Sequence, residues 1–180
     1  MIDISQVDYQ KLIEPHPMFK IFKPDEKDPI IFYKKINRLK KLMVEKYLWL
    51  SDEYRTSQAA DAIISSYFSG ISFNVFYEVG DFQALIGFMR ILPEFKCEMT
   101  LKLIDENIWG ADFARATKEL IELYMEQFQL KRISTETSDK RIVRMTELAG
   151  FVQEGERPDD LRWKNKFYPK YILGKYGEKQ

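Results

Sequence analysis

The sequence predicts a single α+β domain in which a mostly antiparallel sheet is flanked by helices. Three observations support this fold class. The 180 residues, 45% of them hydrophobic, are enough for one core. Apolar residues recur at helical spacing up to Gly70 and then at the two-residue spacing of strands. The later helix and strand patterns do not form the repeated βαβ units that build a parallel sheet.

The N-terminal segment carries no clear period. Pro15-His16-Pro17 disfavours a helix across that point, because each proline removes a backbone donor and restricts the residue before it. We therefore expect residues 1–17 to form an N-terminal extension and residues 18–180 to form the domain. Met18 to Lys23 alternates weakly between apolar and polar residues and is predicted to be a first strand.

Two helices are predicted before the main strands. The first covers Ile30 to Leu50, because its apolar residues step by three or four positions and so fall on one face. These residues are Phe32, Ile36, Leu39, Met43, Tyr47 and Leu50. The second helix is expected to begin at Ser57, which is a suitable N-cap, and to close at Gly70.

Three strands are predicted next, as an antiparallel meander. Every second residue of the first strand is apolar, namely Ile71, Phe73, Val75, Tyr77 and Val79. Gly80-Asp81 then supplies a tight turn into a second strand over Phe82 to Leu92. The third strand covers Cys97 to Ile104, after a turn region at Pro93-Glu94.

The C-terminal part is predicted to add a helix, a strand, a helix and a closing pair of strands. Apolar spacing predicts a helix from Phe113 to Phe128, and β-branched residues predict a strand from Ile133 to Thr137. Asp139 is expected to cap the next helix and Gly150 to end it. The closing strands are expected to flank a turn at Pro158-Asp159-Asp160. They are Phe151 to Glu154 and Phe167 to Tyr176.

Composition narrows the classes of function. Lys plus Arg and Asp plus Glu both number 28, so the zero net charge gives no overall field that would attract nucleic acid or an anionic membrane. Cys97 and His16 are each the single residue of their type, which excludes a disulfide framework and disfavours a zinc site or a Ser-His-Asp triad. Neither a long apolar run nor a signal-peptide pattern is present, so we expect a cytoplasmic protein with no membrane partner.

Four short motifs carry a family resemblance. They are Leu85-Ile86-Gly87-Phe88, Cys97-Glu98-Met99, Trp109-Gly110-Ala111-Asp112-Phe113-Ala114, and Glu147-Leu148-Ala149-Gly150-Phe151 with Glu154-Gly155 downstream. In order and spacing they resemble the core of the GNAT N-acyltransferase superfamily, and in particular its ribosomal-protein alanine acetyltransferase branch. The resemblance covers about residues 71–176. It implies a GNAT-like fold and acetyl-CoA as the cofactor.

The resemblance also implies which residues hold acetyl-CoA. A helix N-terminus leaves backbone N–H groups without partners and carries a partial positive charge, so the loop before the helix would cradle the pyrophosphate. The end of the preceding strand would pair with the pantetheine arm, and Asp139 stands where the branch has an asparagine. The implied cofactor-binding residues are Leu103, Ile104, Trp109, Gly110, Ala111, Asp112, Phe113, Ala114, Arg115 and Asp139.

Besides Asp139, two further positions depart from the family pattern. Asp112 replaces a glycine of the phosphate-binding loop. A carboxylate there is expected to cap the helix, to occupy N–H groups that the pyrophosphate needs and to repel the pyrophosphate, while Arg115 can offset the charge. Thr146 stands where many members carry a tyrosine that acts as the general acid.

Two residues are candidates for the chemistry, because acetyl transfer needs a base for the amine and an acid for the leaving thiolate. Glu98 matches the strand glutamate of the family and is the candidate base. Its alternative role is that of a solvent-facing strand carboxylate. Tyr168, on the closing strand, is the second catalytic candidate, and its alternative role is packing.

Three functions are open on these grounds. The leading hypothesis is an N-acetyltransferase that moves acetyl from acetyl-CoA to a primary amine of a small molecule or a protein. The second is a catalytically inactive GNAT-fold protein, of the kind found in some phage particles, that binds an assembly partner and no longer binds CoA. The third, a nucleic-acid module, would use the basic helix over Lys34 to Lys46. An open cleft between the fourth and fifth strands favours the enzyme, and a closed sheet with a capping Asp112 favours the assembly protein.

Overall fold

A seven-stranded sheet forms the centre of the protein. The computed structural model describes residues 7–23, 28–45, 51–52, 55–68, 74–108 and 110–177. The strands are β1 (Phe19–Ile21), β2 (Val75–Val79), β3 (Ala84–Leu92), β4 (Lys96–Leu103), β5 (Arg132–Thr137), β6 (Val152–Trp163) and β7 (Lys166–Tyr176). Their spatial order is β1-β2-β3-β4-β5-β7-β6, and neighbours are antiparallel except for the parallel pair β4 and β5. The predicted α+β class is confirmed.

Helices cover both faces of this sheet. They are α1 (Tyr9–Ile13), α2 (Pro29–Glu45), α3 (Ser57–Phe68), α4 (Ala111–Gln127) and α5 (Lys140–Leu148). One core joins the sheet to α4 and α5, and a second core joins it to α2 and α3. We call the two sides of the sheet the α4 face and the α2 face. Because strand side chains alternate between faces, every strand residue can be assigned to one of them.

The helix starts agree with the sequence to within two residues. α4 begins at Ala111, next to Asp112 as expected. In α3 the prediction of Ser57 as N-cap is wrong, since Thr56 Oγ1 accepts from the backbone N–H of Ala59 at 3.1 Å and therefore caps the helix. The predicted ends of the first two helices, at Leu50 and Gly70, lie in residues 46–50 and 69–73, which are outside the described residues.

Gly87, in the middle of β3, is required by a close approach. A Cβ atom built on it would overlap the ring of Phe76, which lies opposite Gly87 on β2. The ring thus occupies the space where another residue would carry its side chain. This packing gives a physical reason for the glycine in the third-strand motif.

The closing hairpin differs from the prediction. Pro158-Asp159-Asp160 was expected to form the turn, yet it lies inside β6, at a register shift between Arg157 and Leu161, and Asp159 has a φ of 54°. The turn is Lys164-Asn165, whose φ values of 49° and 60° suit a two-residue hairpin loop. A proline is tolerated in β6 because this is an edge strand, where a missing N–H leaves no ladder bond unmade.

The N-terminal segment packs against the sheet. Val7 and Leu12 are each 5% exposed and belong to the core on the α4 face. The hydroxyl of Tyr77 donates to the carbonyl of Leu12 at 2.6 Å, and the backbone N–H of Asp8 donates to Gln127 Oε1 at 2.8 Å. These contacts tie residues 7–12 to β2 and α4. Whether residues 1–17 fold separately from residues 18–180 stays a prediction.

Candidate active site

The strands β4 and β5 separate part-way along their length. Among the described residues they pair at three positions, of which Glu98 with Ser134 is the last. β4 nevertheless continues pairing with β3 as far as Leu103, and β5 continues pairing with β7 as far as Thr137. The facing edges of Met99–Leu103 and Thr135–Thr137 therefore diverge, and we call the space between them the wedge. The sheet is open where the sequence hypothesis for an enzyme requires it to be open.

The N-terminus of α4 follows β4 after a short turn that includes the 3-10 helix Glu106–Ile108. Gly110 is the N-cap, with an extended backbone at φ 177° and ψ 166°, and no side chain of the described residues bonds to the cap position. A Cβ atom at Gly110 would meet nothing within 4 Å among the described residues. The start of this helix is thus sterically open and can present backbone N–H groups to an anion.

Asp112 does not cap α4, so that prediction is wrong. Its side chain is 85% exposed, and the nearest charged contact is Arg115 Nη1 at 3.6 Å from Asp112 Oδ1. The helix begins earlier than a cap at Asp112 requires. Because Gly110 takes the cap position, Asp112 is already the second residue of the helix and its carboxylate lies in solvent. The carboxylate still adds negative charge near the helix start, and Arg115 offsets it.

Two buried hydroxyls in the elements that border the wedge have no hydrogen-bond partner among the described residues. Ser138 Oγ follows directly after β5, and Thr117 Oγ1 lies in α4. Ser138 is 6% exposed and Thr117 is 0% exposed. Buried polar atoms are normally satisfied, so each of these hydroxyls lacks its expected partner among the described residues. The wedge and the open helix start fit acetyl-CoA.

Asp139 caps α5, as predicted. Its Oδ1 accepts from the backbone N–H of Arg141 at 2.9 Å, and the Arg141 guanidinium donates to both carboxylate oxygens at 2.7 to 3.2 Å. Asp139 is 6% exposed. The carboxylate is therefore engaged in holding the start of α5, and a contact with the cofactor stays a prediction.

Glu98 lies at the closed end of the wedge, on the α2 face. Arg90 Nη1 donates to both of its carboxylate oxygens at 2.9 Å. Arg90 reaches it from β3, beside the bulge between Met89 and Leu92. A carboxylate with both oxygens accepting from a guanidinium must give up part of that bond before it can accept a proton from an amine.

Tyr168 lies at the other end of β7. It pairs with Leu161, and its ring is 6.3 Å from the ring of Trp163. Glu98 pairs with Ser134 of β5, and Ser134 pairs with Gly174 of β7. Tyr168 is six residues from Gly174 along β7, a distance of about 20 Å at strand spacing. The structure therefore does not bring the two catalytic candidates together.

Thr146, at the position of the family's tyrosine, is used inside its own helix. Its side chain is completely buried, and its hydroxyl lies 2.9 Å from the carbonyl of Ile142 and 2.8 Å from that of Val143. A hydroxyl held in this way is not placed to donate a proton to a thiolate.

Lys102 is a residue that sequence analysis missed. It lies in the diverging part of β4 and, by alternation with Leu101 and Leu103 of the core, on the α2 face. Burial, together with the charge of Lys170, lowers the pKa of Lys102 from its ordinary 10.5 to about 8. In the sequence it reads as an ordinary solvent-facing strand lysine, because the burial and the second lysine come from distant elements.

Ser51 and Asp52, which lie between α2 and α3, contact the tip of the β6–β7 hairpin. The backbone N–H of Arg162 donates to Ser51 Oγ at 2.9 Å, and that of Asn165 donates to Asp52 Oδ2 at 3.3 Å. The Arg55 guanidinium lies 5.7 Å from the centre of the Trp163 ring. These contacts fix Ser51, Asp52 and Arg55 against the hairpin tip.

The basic residues of α2 are largely paired with acids of the same protein. Lys35 pairs with Glu78 and Lys40 with Asp61, while Lys41 Nζ is 3.9 Å from Glu45. Such pairing is typical of a solvated helix face rather than of a surface that binds phosphates. Within the described residues no cluster of acidic, histidine and cysteine side chains could hold a metal, and no helix is both long and apolar enough to span a membrane.

The chain matches no protein-family model and no curated protein sequence. It does resemble solved structures over most of its length. Spermidine N-acetyltransferase from Vibrio cholerae, in complex with CoA and spermine, gives a TM-score of 0.60 at 14% identity and covers 89% of this chain and 96% of that chain. The microcin C7 self-immunity acetyltransferase, in complex with acetyl-CoA and AMP, gives 0.59 at 16% identity, with coverages of 89% and 93%.

A third similar structure belongs to the branch that the sequence motifs resemble. Ribosomal-protein-S5-alanine acetyltransferase from Vibrio fischeri gives a TM-score of 0.59 at 14% identity, covering 91% of this chain and 95% of that chain. Two further similar structures are described as acetyltransferases of the GNAT family. At these identities the likeness concerns the fold, and the chain has the mixed, mostly antiparallel fold of the GNAT acetyltransferases.

Proposed function

We propose that the protein is an N-acetyltransferase that moves the acetyl group of acetyl-CoA to a primary amine. The observation that carries this proposal is the wedge between β4 and β5, with the open N-terminus of α4 beside it. Two of the similar structures contain CoA or acetyl-CoA, which supports the same cofactor here. A cytoplasmic location is part of the proposal.

The cofactor-binding residues follow from the predicted set and from the geometry. The backbone of Leu103 would hold the pantetheine arm along the open edge of β4, and Ile104, whose backbone N–H already donates to the Gln83 carbonyl at 2.9 Å, would border it. The backbone of residues 110–114 would hold the pyrophosphate at the start of α4, with Arg115 supplying positive charge. Trp109 lies outside the described residues and keeps its predicted place in this loop. Acetyl-CoA supplies an acetyl group already activated as a thioester.

Glu98 is the proposed base. It lies where the wedge closes, on the α2 face. Arg90 holds the carboxylate in place, and an approaching ammonium group can share its oxygens with the guanidinium. Tyr168 lies about 20 Å from Glu98 by strand spacing, too far away for both residues to act on one amine nitrogen. We propose instead that Tyr168 lines the space that the amine acceptor occupies.

The acceptor is proposed to be a primary amine of a small molecule or of a protein. One similar structure is a spermidine N-acetyltransferase and another acts, by its description, on an alanine of ribosomal protein S5. Both acceptors are amines. The inactive assembly protein was to be favoured by a closed sheet and a capping Asp112, and neither is found in the described part of the chain.

A thiol-release assay with a panel of primary amines tests the proposal. The panel contains a polyamine, a peptide with an N-terminal alanine and a peptide with an internal lysine. We expect steady-state release of CoA with at least one of them. Glu98→Gln should lower kcat by about 100-fold, in the range expected for loss of a general base, while acetyl-CoA affinity stays within a factor of about two.

Glu154→Gln is the matched control, because Glu154 is also a strand carboxylate paired with an arginine, Arg132, and it lies on the edge strand β6 outside the wedge. It should leave kcat unchanged. If acetyl-CoA binds and no amine on the panel releases thiol above the rate of buffer, the proposed activity is wrong.

A further inference from the structure

The strand β3 contains a β-bulge beside Glu98. The register of β3 against β4 shifts between Met89 and Leu92, so that β3 has one more residue than β4 over this stretch. Arg90 lies inside the bulge and has a φ of 51°, in the left-handed region that residues other than glycine seldom adopt. Bulges of this kind bend a strand and redirect its side chains.

This bulge brings the Arg90 side chain to the α2 face. Met89 packs against the core on the α2 face, so strict alternation would place Arg90 on the α4 face and Ile91 on the α2 face. Instead Ile91 is buried in the core on the α4 face. The Arg90 guanidinium reaches Glu98 on the α2 face, where its Nη1 lies 2.9 Å from both carboxylate oxygens. The contact with Glu98 therefore depends on the bulge.

The side chain of Asn74 fixes the backbone of the bulge. In the described register the pairing of β2 with β3 ends at Val75 with Phe88, two residues before Arg90. The backbone N–H of Arg90 donates to Asn74 Oδ1 at 3.0 Å, and Asn74 Nδ2 donates to the carbonyl of Tyr67, near the end of α3, at 3.2 Å. A side-chain amide thus takes the place of a ladder bond and ties the bulge to α3.

Stability does not account for the pair of Arg90 and Glu98. The side chain of Arg90 is 69% exposed and that of Glu98 is 36% exposed. Exposed ion pairs contribute little to folding, whereas a positive φ at a residue other than glycine costs free energy. Residues held in such a conformation are typical of functional sites.

We infer that the bulge positions the base: Asn74 holds the backbone of Arg90, and the Arg90 guanidinium holds the Glu98 carboxylate at the closed end of the wedge. This inference rests on the proposed function. Arg90 and Asn74 are positioning residues, because they act through Glu98 and exchange no proton with the acceptor.

The geometry of the contact leaves the base accessible. Each carboxylate oxygen can accept more than one hydrogen bond, so the bond from Arg90 Nη1 leaves both oxygens of Glu98 able to accept from an amine. The guanidinium fixes the direction of the carboxylate before the acceptor arrives. A base that is held in advance loses less freedom when the amine and the thioester are brought into line, and this should raise kcat.

Steady-state kinetics of Arg90→Gly test the inference, with acetyl-CoA and the amine of the thiol-release panel that reacts fastest. Glycine adopts a positive φ without strain, so this variant should keep the bulge and melt close to the natural chain or above it. Its kcat should fall at least about tenfold, which is part of what loss of the base itself would remove. Its Kd for acetyl-CoA should stay within a factor of about two. Arg90→Lys, which keeps a cation, should recover part of the lost kcat.

Gln129→Gly is the matched control for a glycine at a strained position. Gln129 is exposed, has a φ of 46° and lies in the turn between α4 and β5, so the substitution should leave kcat unchanged. Guanidinium ions, added far below the concentrations that unfold proteins, should raise the kcat of Arg90→Gly and not that of the natural chain or of Gln129→Gly. A purely structural role of Arg90 would give no such rescue.

A double-mutant cycle tests the part played by Asn74. Asn74→Ala removes the acceptor of the Arg90 N–H and should lower kcat several-fold. In the Arg90→Gly background it should lower kcat no further, because its effect on Glu98 passes through Arg90. Additive losses in kcat would contradict this role of Asn74.

The outcomes for Arg90 separate this inference from the proposed function. If the natural chain acetylates an amine while Arg90→Gly keeps its kcat, or melts well below the natural chain, the inference is wrong and the proposed function stands. If the natural chain acetylates no amine on the panel, both are wrong.

Discussion

Replacing Lys102 by Met should stabilise the protein, and the gain should depend on pH. Met keeps the apolar stem and removes the charge. The folded pKa of about 8 lies below the ordinary 10.5, a difference of about 2.5 units, so the buried charge costs up to about 3 kcal/mol. Partial exposure of the side chain reduces this, and we expect a gain of about 1 to 3 kcal/mol at neutral pH.

The sign of the pH dependence follows from proton binding. Between about pH 8 and 10.5 the unfolded chain holds a proton on Lys102 that the folded chain has lost, so stability rises with pH in this window. Below about pH 8 both states hold the proton and the penalty is fully present. The advantage of Lys102→Met should therefore be constant below about pH 7 and fall to about half by pH 9.5.

Urea unfolding of both chains at the two pH values measures this difference. Other titrating groups are common to both proteins and cancel. Lys34→Met, at an exposed position on α2, is the control and should change neither the stability nor its pH dependence by more than about 0.5 kcal/mol. A loss of stability in Lys102→Met, or a gain that does not change between the two pH values, would refute the account of Lys102.

Three further substitutions test the fold and the site. Gly87→Ala should lower the free energy of unfolding in urea by about 1 to 3 kcal/mol, because its methyl group would overlap the Phe76 ring. Adding Phe76→Leu to this variant should recover part of the lost stability. Additive losses from the two substitutions would contradict this contact. Asp139→Ala should cost about 1 to 2 kcal/mol, since it removes the cap of α5 and leaves the Arg141 guanidinium without its carboxylate; an unchanged midpoint would mean that the cap is dispensable. Asp112→Asn should tighten acetyl-CoA binding a few-fold in calorimetry, because it removes a negative charge near the helix start. It should change the free energy of unfolding by less than about 0.5 kcal/mol, because the carboxylate does not cap the helix. Weaker acetyl-CoA binding would mean that the carboxylate helps the ligand to bind.

Much of the fold could be predicted because its signals are local. The switch from helical to two-residue spacing near Val75 follows from the side-chain period, and the cap at Asp139 follows from one residue and its neighbours. The order of helices and strands, together with the motifs around Gly87 and Gly150, was enough to indicate the GNAT-like arrangement. The opening between β4 and β5, which we call the wedge, was expected from that resemblance and not from periodicity, whereas their parallel pairing was not predicted.

The wrong predictions share a physical cause, which is that they depend on small shifts or distant partners. Asp112 is an excellent cap residue, but Gly110 starts the helix two positions earlier and the cap is lost. Pro158 signals a turn in isolation, and only the edge position of β6 permits it to remain in a strand. The environment of Lys102 depends first on burial and then on Lys170, which folding brings across the sheet from β7.

The central claim is that the wedge and the open start of α4 hold acetyl-CoA, and calorimetric titration of Gly110→Asp against the natural chain tests it most directly. The backbone at Gly110 is extended and a side chain there meets no described atom, so the substitution fits. An aspartate would cap α4 and place a carboxylate where the pyrophosphate must lie. Gly110→Asn is the neutral control of the same shape.

We expect measurable acetyl-CoA binding by the natural chain. Acetyl-CoA binding should be at least about tenfold weaker in Gly110→Asp than in Gly110→Asn. The unfolding free energy of each variant should be no more than about 0.5 kcal/mol below that of the natural chain. Equal acetyl-CoA affinity in Gly110→Asp, Gly110→Asn and the natural chain, or no heat of binding in the natural chain, would contradict it.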